Sequence, residues 1–452
     1  MSTPASASPA PPASDALLPR WPRQQVEKLL RWLFGGELLL RFLYPFYNSP
    51  LSHLWSDPAR HWENGQQLFH PGFMGSGDPL MYQVWLHLLQ QIKGNQAAVI
   101  PTGCGLLCAA MPYGWYRALK ELLPRDWALG GALLMGLVPA FYGIYGYFMN
   151  ETLLLTLTGF AFWATFRAQR KRSVGAFATA CALWLLAGFT RTTALPMGLV
   201  CLLAIWLPQP RKLLKAAVGV PLLLALAIPA SLHTHSFLGF YSPFGNAYLG
   251  QIYEGSGKRN IHIGMDGGYW QFGSPSFYNP SFYPFSNWTT DRDGMVSINI
   301  DTKRGRESWV EEKARTRAER DFPVWRGYWE NFLYLGFAQS WPDNDPGTVM
   351  GWLTVWTRWL WPPLIVLVGF GAVRGQFSGR QWLLPVTGLG LILFLLVQQQ
   401  GVMEGRYRKP IDPLFVASAV LMLHRKRTRP QARPAVSYEP LAEAFGPHGA
   451  AG

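Results

Sequence analysis

The chain has 452 residues, of which 49% are hydrophobic and 15% charged, well below the roughly 25% charged residues usual for a soluble protein. That deficit excludes an ordinary water-soluble globule and fits a chain whose apolar segments face lipid. The formal net charge of +14 admits either a nucleic-acid-binding surface or basic loops that fix membrane topology, and the placement of the charges decides for the second.

The first stretch, 1–24, opens MSTPASASPAPPASDALLP. It lacks a basic segment followed by an apolar one, so it reads as a disordered cytoplasmic tail and not as a signal peptide. A bilayer crossing takes about 20 apolar residues. Candidate runs lie at 29–47, 97–116, 127–149, 152–167, 174–190, 192–208, 216–233, 352–373, 382–397 and 413–424. The fold class expected is an all-α polytopic membrane protein of about ten transmembrane helices, with a mixed outer-face (periplasmic) domain between spans seven and eight.

Residues 25–233 form an N-terminal transmembrane module whose first outer loop, 48–96, carries the catalytic candidates. Within that loop, 79–93 sets Leu80, Val84, Leu86, Leu88 and Leu89 among Gln and His and is too short and polar to span, so it reads as an interfacial helix. The stretch 234–351 is too long for a plain loop. It is rich in Gly, Pro and aromatic residues, turns charged and helical at 303–335, and reads as a folded outer domain. Its aromatics either bind sugar faces or anchor at the lipid interface. Residues 352–424 supply the C-terminal helices, and 425–452 a second disordered cytoplasmic tail.

Basic clusters sit before the first span (Arg20, Arg23, Lys28, Arg31) and after the second (Arg117, Lys120, Arg125), fourth (Arg167, Arg170, Lys171, Arg172), sixth (Arg211, Lys212, Lys215), eighth (Arg374, Arg380) and last (Arg425, Lys426, Arg427, Arg429). If the spans alternate, all fall on one side, the positive-inside pattern, and both termini are cytoplasmic. Cys104, Cys108, Cys181 and Cys201 all lie in apolar runs without a Cys-x-x-Cys pair and read as small buried hydrophobes.

The opposite face gathers the residues suited to chemistry. Asp57 follows the first span and Asp78 precedes the interfacial helix. A carboxylate there can deprotonate a nucleophile or orient a divalent cation. Each also stands before a proline, the pattern of a helix cap. Glu151 sits at the outer end of the third span with almost no loop after it, where an ionisable group costs about 2–3 kcal/mol unless paired.

Arg191 marks the turn between spans five and six and calls for an anionic partner. In the last outer loop Arg406, Tyr407, Arg408 and Lys409 break the positive-inside pattern. A lipid phosphate would account for them, and pairing with Glu404 and Asp412 is the alternative. His53, His61 and His70 share the first outer segment at spacings that match no zinc motif; His61 or His53 could assist Asp57.

Four motifs resemble those of the GT-C glycosyltransferases, the multi-spanning enzymes that use polyprenyl-phosphate-linked sugars, including the protein mannosyltransferase and lipid A aminoarabinose transferase families. SDPARHWENGQQL is similar to their D-x-x-x-Y/H-W-x-x-A-x-x-L run, NETLLLTL to their S/N-E-x-L-L pattern, RTTALP to a later outer-turn arginine, and GRYRKPIDPLFVASAVLML to their R-Y-x-x-P-x-x-P-L-L ending. The resemblance implies transfer of a sugar from an outward-facing polyprenyl phosphate to a lipid, glycan or protein acceptor, with inversion, at the periplasmic face of a bacterial inner membrane. It implies Asp57 as catalytic base or metal-positioning acid, Glu151 as second acid, and Arg191 and Arg406 as holders of the donor phosphate. The first-loop motif has one acid where many members have two adjacent ones, which leaves a requirement for Mg or Mn at Asp57 and Glu151 open.

Two other readings compete. A transporter of lipid-linked glycans needs polar residues deep in several spans, and the middle spans here are nearly free of charge at their centres. An O-antigen ligase or polymerase type of enzyme would rely on arginines and a histidine in the large outer loop.

Overall fold

The computed structural model describes residues 22–70, 79–238, 241–244, 260–265, 268–272, 295–299, 348–398 and 405–428, with Glu307, Glu311, Phe332 and Leu335 as isolated further positions. Most of both tails, Asp78 and most of 234–351 lie outside them.

The apolar runs form helices: α1 (Arg23–Tyr47), α4 (Gln96–Leu119), α5 (Arg125–Gly136), α6 (Asn150–Lys171), α7 (Val174–Thr190), α8 (Ala194–Trp206) and α9 (Lys212–Leu238). The first outer segment adds α2 (Ser56–Gln66) and α3 (Met81–Gln91), so a helix occupies the segment expected to lie at the interface. Further on come α10 (Val349–Thr357), α11 (Trp361–Val373), α12 (Leu383–Gln398) and α13 (Asp412–Thr428). Between α9 and α10 lies a three-stranded sheet. β1 (Asn260–Met265) pairs antiparallel with β2 (Gly268–Phe272), Ile263 opposite Trp270, and parallel with β3 (Met295–Asn299), Ile263 opposite Ile298. Among the described residues, Gln96–Leu119, Lys212–Phe237 and Gly379–Leu396 are long and apolar enough to cross a membrane, and a bent pair makes a fourth candidate.

Local chemistry sets the boundaries. Asn95 caps α4, its side chain accepting from the Ala97 amide at 3.0 Å, and Ser173 caps α7 from the Ala176 amide at 3.2 Å. Arg172 closes α6 in the left-handed region at φ 53°, so α7 doubles back after a two-residue link.

The core is built on α4, which packs against α1 and α6, while α6 packs in turn on α7. Helices in lipid gain little from burying apolar surface and rely on close fit. Gly114 and Gly159 provide it: a Cβ on Gly159 would meet the Trp115 backbone at 2.9 Å, and one on Gly114 the Phe160 backbone at 3.1 Å. Trp115 then stacks on Phe162, which meets Trp184 edge-on, and the Trp184 indole donates to Thr165 Oγ1 at 2.9 Å.

The third apolar run, expected as one span over 127–149, is instead broken. α5 ends at Gly136, and Pro139–Phe141 and Gly143–Gly146 continue as 3-10 turns bent by 83° from it. Pro139 explains the break, since it disfavours helix at the residue before it and carries no amide hydrogen for the ladder. Arg41, fully buried in α1, satisfies two carbonyls at this break and one in α4, where Pro112 has no amide hydrogen to offer. It donates to Cys108 at 2.8 Å, to Gly136 at 2.6 Å and to Phe141, and its guanidinium lies over the Tyr142 and Tyr145 rings. The charged residues that make 29–47 the least apolar run are thereby partly accounted for.

Ion pairs mark one end of the bundle: Arg23 with Asp126 at 2.7 Å and Arg170 with Glu121 at 2.7 Å. Glu151 stands at the opposite end of α6, about 28 Å from Arg170 at 1.5 Å rise per residue. That length matches the roughly 30 Å hydrocarbon layer.

Candidate functional site

The first turn of α6 carries Asn150 and Glu151, both buried. Arg191 ends α7 in extended backbone, which aims its side chain back across α6. Its Nη1 donates to Glu151 Oε1 and to Asn150 Oδ1, the latter at 3.2 Å. Its guanidinium also lies over the Tyr407 ring, 4.6 Å from the centroid. Three distant stretches of chain thus meet at one cation.

Tyr407 belongs to the 3-10 turn Gly405–Arg408. Arg408 points elsewhere: its Nε donates to Asp412 at 2.9 Å and its Nη1 to the Leu335 carbonyl at 2.7 Å, with the Trp361 ring beneath. This is the ion-paired alternative that the sequence left open for that residue. Lys409 is also buried. Arg406 sits in the same turn, and its side chain falls outside the described residues, as does all of Asp78.

Asp57 lies in the first turn of α2, one residue past the helix start, with Trp55 and not Asp57 at the cap position. Arg60 donates to it at 3.1 Å, and each side chain of the pair keeps under a fifth of its surface exposed. One turn on, Trp62 stacks on Phe148 at 4.9 Å, which docks α2 against the residues just before Glu151. His61 is buried between the Tyr82 ring, 5.2 Å away, and Gln83, 3.2 Å away. His53 bonds Asn48 at 2.8 Å and packs on Tyr147.

Tyr82, from α3, is fully buried, and its ring packs edge-on against His61 at 5.2 Å. Burial pushes its phenol well above the ordinary value, so it stands as a neutral hydroxyl beside Glu151.

Among the described residues no three His, Cys, Asp or Glu side chains come together to hold a metal ion. Glu151 is engaged by Arg191 through Oε1.

Residues 77–233 match the family model of the dolichyl-phosphate-mannose-protein mannosyltransferases. That family is one of the GT-C superfamily, and the likeness covers about a third of the chain. The match spans α3 to α9 and contains Tyr82, Glu151 and Arg191; Asp57 and the 405–409 turn lie beyond it. It supports a glycosyltransferase in the broad sense and agrees with apolar helices of a multi-pass membrane protein. No curated protein matches the chain.

Three members of this cluster escape a reading of the sequence. Arg60 stands three residues from Asp57, a helical pair spacing, and Asn150 adjoins Glu151, so both left some trace. Tyr82 left little, since a tyrosine on an amphipathic helix reads first as an interfacial anchor.

Proposed function

We propose that this protein transfers a sugar from a polyprenyl-phosphate donor to an acceptor hydroxyl or amine at the periplasmic face of a bacterial inner membrane, with inversion at the anomeric carbon. The observation that supports this most is the meeting of Glu151, Asn150 and Tyr407 at Arg191. A cation held at a helix end near the membrane boundary, inside the segment that matches the mannosyltransferase family, suits a lipid phosphate.

In this mechanism the Asp57 carboxylate accepts the proton of the acceptor. The acceptor atom forms its bond to the anomeric carbon as the bond from that carbon to the phosphate oxygen breaks. The electron pair leaves with the oxygen, giving polyprenyl phosphate. Phosphate is a good leaving group, so stabilising its charge matters more than protonating it. Arg191 supplies that stabilisation, with Arg406 and Lys409, on either side of Tyr407, as further cations. Arg60 orients the Asp57 carboxylate through its hydrogen bond.

The test is incubation of the purified protein with a panel of undecaprenyl-phosphate sugars, following sugar transfer or release. Asp57→Asn should abolish turnover without changing the melting temperature. Full activity in that variant sinks the mechanism and points to the ligase type of enzyme.

A further inference from the structure

The end of the bundle opposite Glu151 distributes its carboxylates unevenly. Asp126 takes Arg23 and Glu121 takes Arg170, both at 2.7 Å, and Glu27 takes Arg31 and Arg125. Among the described residues, Arg117 of α4 and Arg167 of α6 have no such pair. Both instead fold over one ring, their guanidinium carbons 4.7 Å and 5.3 Å from the Trp163 centroid. Arg117 also donates to the Tyr113 hydroxyl at 3.1 Å. Lys120, exposed, lies over the Tyr116 ring at 6.0 Å and adds a third cation nearby.

Like charges gathered on one ring repel each other unless an anion offsets them. Positive-inside topology asks for basic residues in the flanking loops; it does not ask for arginines from two helices to share a tryptophan. Each guanidinium is a planar fork of N–H donors matched to phosphate, and Tyr113 takes one donor from Arg117. The surface beside them is apolar. Arg117, Tyr113 and Leu106 recur on one face of α4, and Arg167, Trp163 and Phe160 on one face of α6. All six reach the surface of the bundle, and the Tyr113 and Phe160 rings meet at 6.2 Å across the seam between the two helices.

We propose that Arg117, Trp163 and Arg167 bind the phosphate of an anionic phospholipid in the leaflet at this end of the bundle, with its acyl chains along the α4–α6 seam. Basic side chains gathered between spanning helices suit such headgroups. The apolar strip favours a lipid over a soluble anion, since a free phosphate would leave it bare. The site stands at the far end of α6 from Glu151, outside the transfer chemistry.

The experiment is native mass spectrometry of the full-length protein in detergent, titrated with phosphatidylglycerol or phosphatidylcholine. Phosphatidylglycerol should bind more tightly by about tenfold or more. Arg117→Gln and Arg167→Gln should each lower its affinity about fivefold, and the two together about twentyfold. Trp163→Leu leaves the charge unchanged and should lower it about threefold. Arg374→Gln removes a cation that lies over Phe370 on another helix, and should change it by less than about twofold. Equal binding of the two lipids, wild-type affinity in the folded double variant or in Trp163→Leu, or an equal loss in Arg374→Gln marks diffuse surface charge and overturns the proposal. Displacement of the lipid by inorganic phosphate at equal concentration marks a soluble-anion site and overturns it too. If the glutamine variants lose their melting transition, Arg117→Lys with Arg167→Lys keeps the charge without the fork and should still weaken binding about threefold; wild-type affinity in that pair sinks the assignment.

Discussion

Arg191 and Glu151 stand 40 positions apart in the chain and meet in one buried ion pair, the guanidinium Nη1 donating to the carboxylate Oε1. Glu151 has no exposed surface and Arg191 keeps 12% of its side chain exposed. Removing two such charges from water costs several kcal/mol that their attraction returns only in part, and well-packed apolar side chains would hold α6 to α7 at least as well. The pair therefore makes more sense as a held charge than as a fastener. The carboxylate keeps the guanidinium in place, over Tyr407, at the position the proposed mechanism gives to a donor phosphate.

Glu151→Gln separates holding from reacting. It retains a hydrogen-bonding side chain but cancels the charge that competes with phosphate for Arg191. Affinity for undecaprenyl phosphate should rise on the order of tenfold, while transfer with whichever sugar donor the wild type uses should fall. Fluorescence titration and a turnover assay on one preparation measure both. Weaker lipid binding in this variant would mean that Glu151 belongs to the phosphate site and does not oppose it.

Arg41 should matter for stability more than any apolar residue around it. It satisfies three backbone carbonyls, those of Gly136 and Phe141 at the break after α5 and that of Cys108 in α4, where Pro112 has no amide hydrogen to offer. Arg41→Met fills the space and leaves all three acceptors buried and unmet, at a cost of about 3 kcal/mol or more. Arg41→Lys keeps the charge without the planar fork and should recover only part of the loss. Thermal unfolding in detergent reads the order wild type, Lys, Met.

Much of this framework was legible in the sequence. The runs at 97–116, 174–190 and 216–233 lie within helices that extend them by a few residues at most, because hydropathy and capping residues mark those ends directly. The break at Pro139 was not legible, since an apolar stretch sums to a span whether or not its backbone is continuous. Arg41 looked like a flaw in the first span for a related reason: its partners are carbonyls, which every residue carries, so no side-chain pattern announces them. At the site, Glu151 and Arg191 were each visible as charges out of place, and their pairing follows only from how α6 and α7 stack. Arg408 was ambiguous because Asp412 one helical turn away and a distant phosphate leave the same mark on a sequence.

Two glycines offer a matched pair for testing the close fit of α4 on α6. At Gly159 a Cβ would press on the Trp115 backbone at 2.9 Å, and backbone cannot move aside as a side-chain tip can. Gly159→Ala should destabilise by about 1–3 kcal/mol. At Gly175, in the first turn of α7, a Cβ meets nothing within 4 Å. Gly175→Ala should be neutral or raise stability by about 0.5–1 kcal/mol through helix propensity. Equal effects of the two in thermal unfolding would count against the packing described for these helices.

Arg408 and Arg191 should part company when each is replaced. Arg408 is 4% exposed and bound to Asp412 and to the Leu335 carbonyl above the Trp361 ring. Its loss leaves a buried carboxylate without its cation, at about 3–5 kcal/mol. Arg408→Gln should therefore lower the melting temperature sharply, and Arg408→Gln with Asp412→Asn should regain much of that loss by removing both charges together. Arg191→Gln also orphans a buried carboxylate and should lower stability in the same direction, with part of that cost offset. It leaves Glu151 at the end of α6, where the helix N-terminus still favours a negative charge, so stability should fall less while undecaprenyl phosphate affinity falls on the order of tenfold or more. If instead Arg408→Gln, measured on the folded fraction, costs as much lipid affinity as Arg191→Gln, then Arg408 faces the phosphate during turnover, and its bond to Asp412 is a resting arrangement that the donor must break.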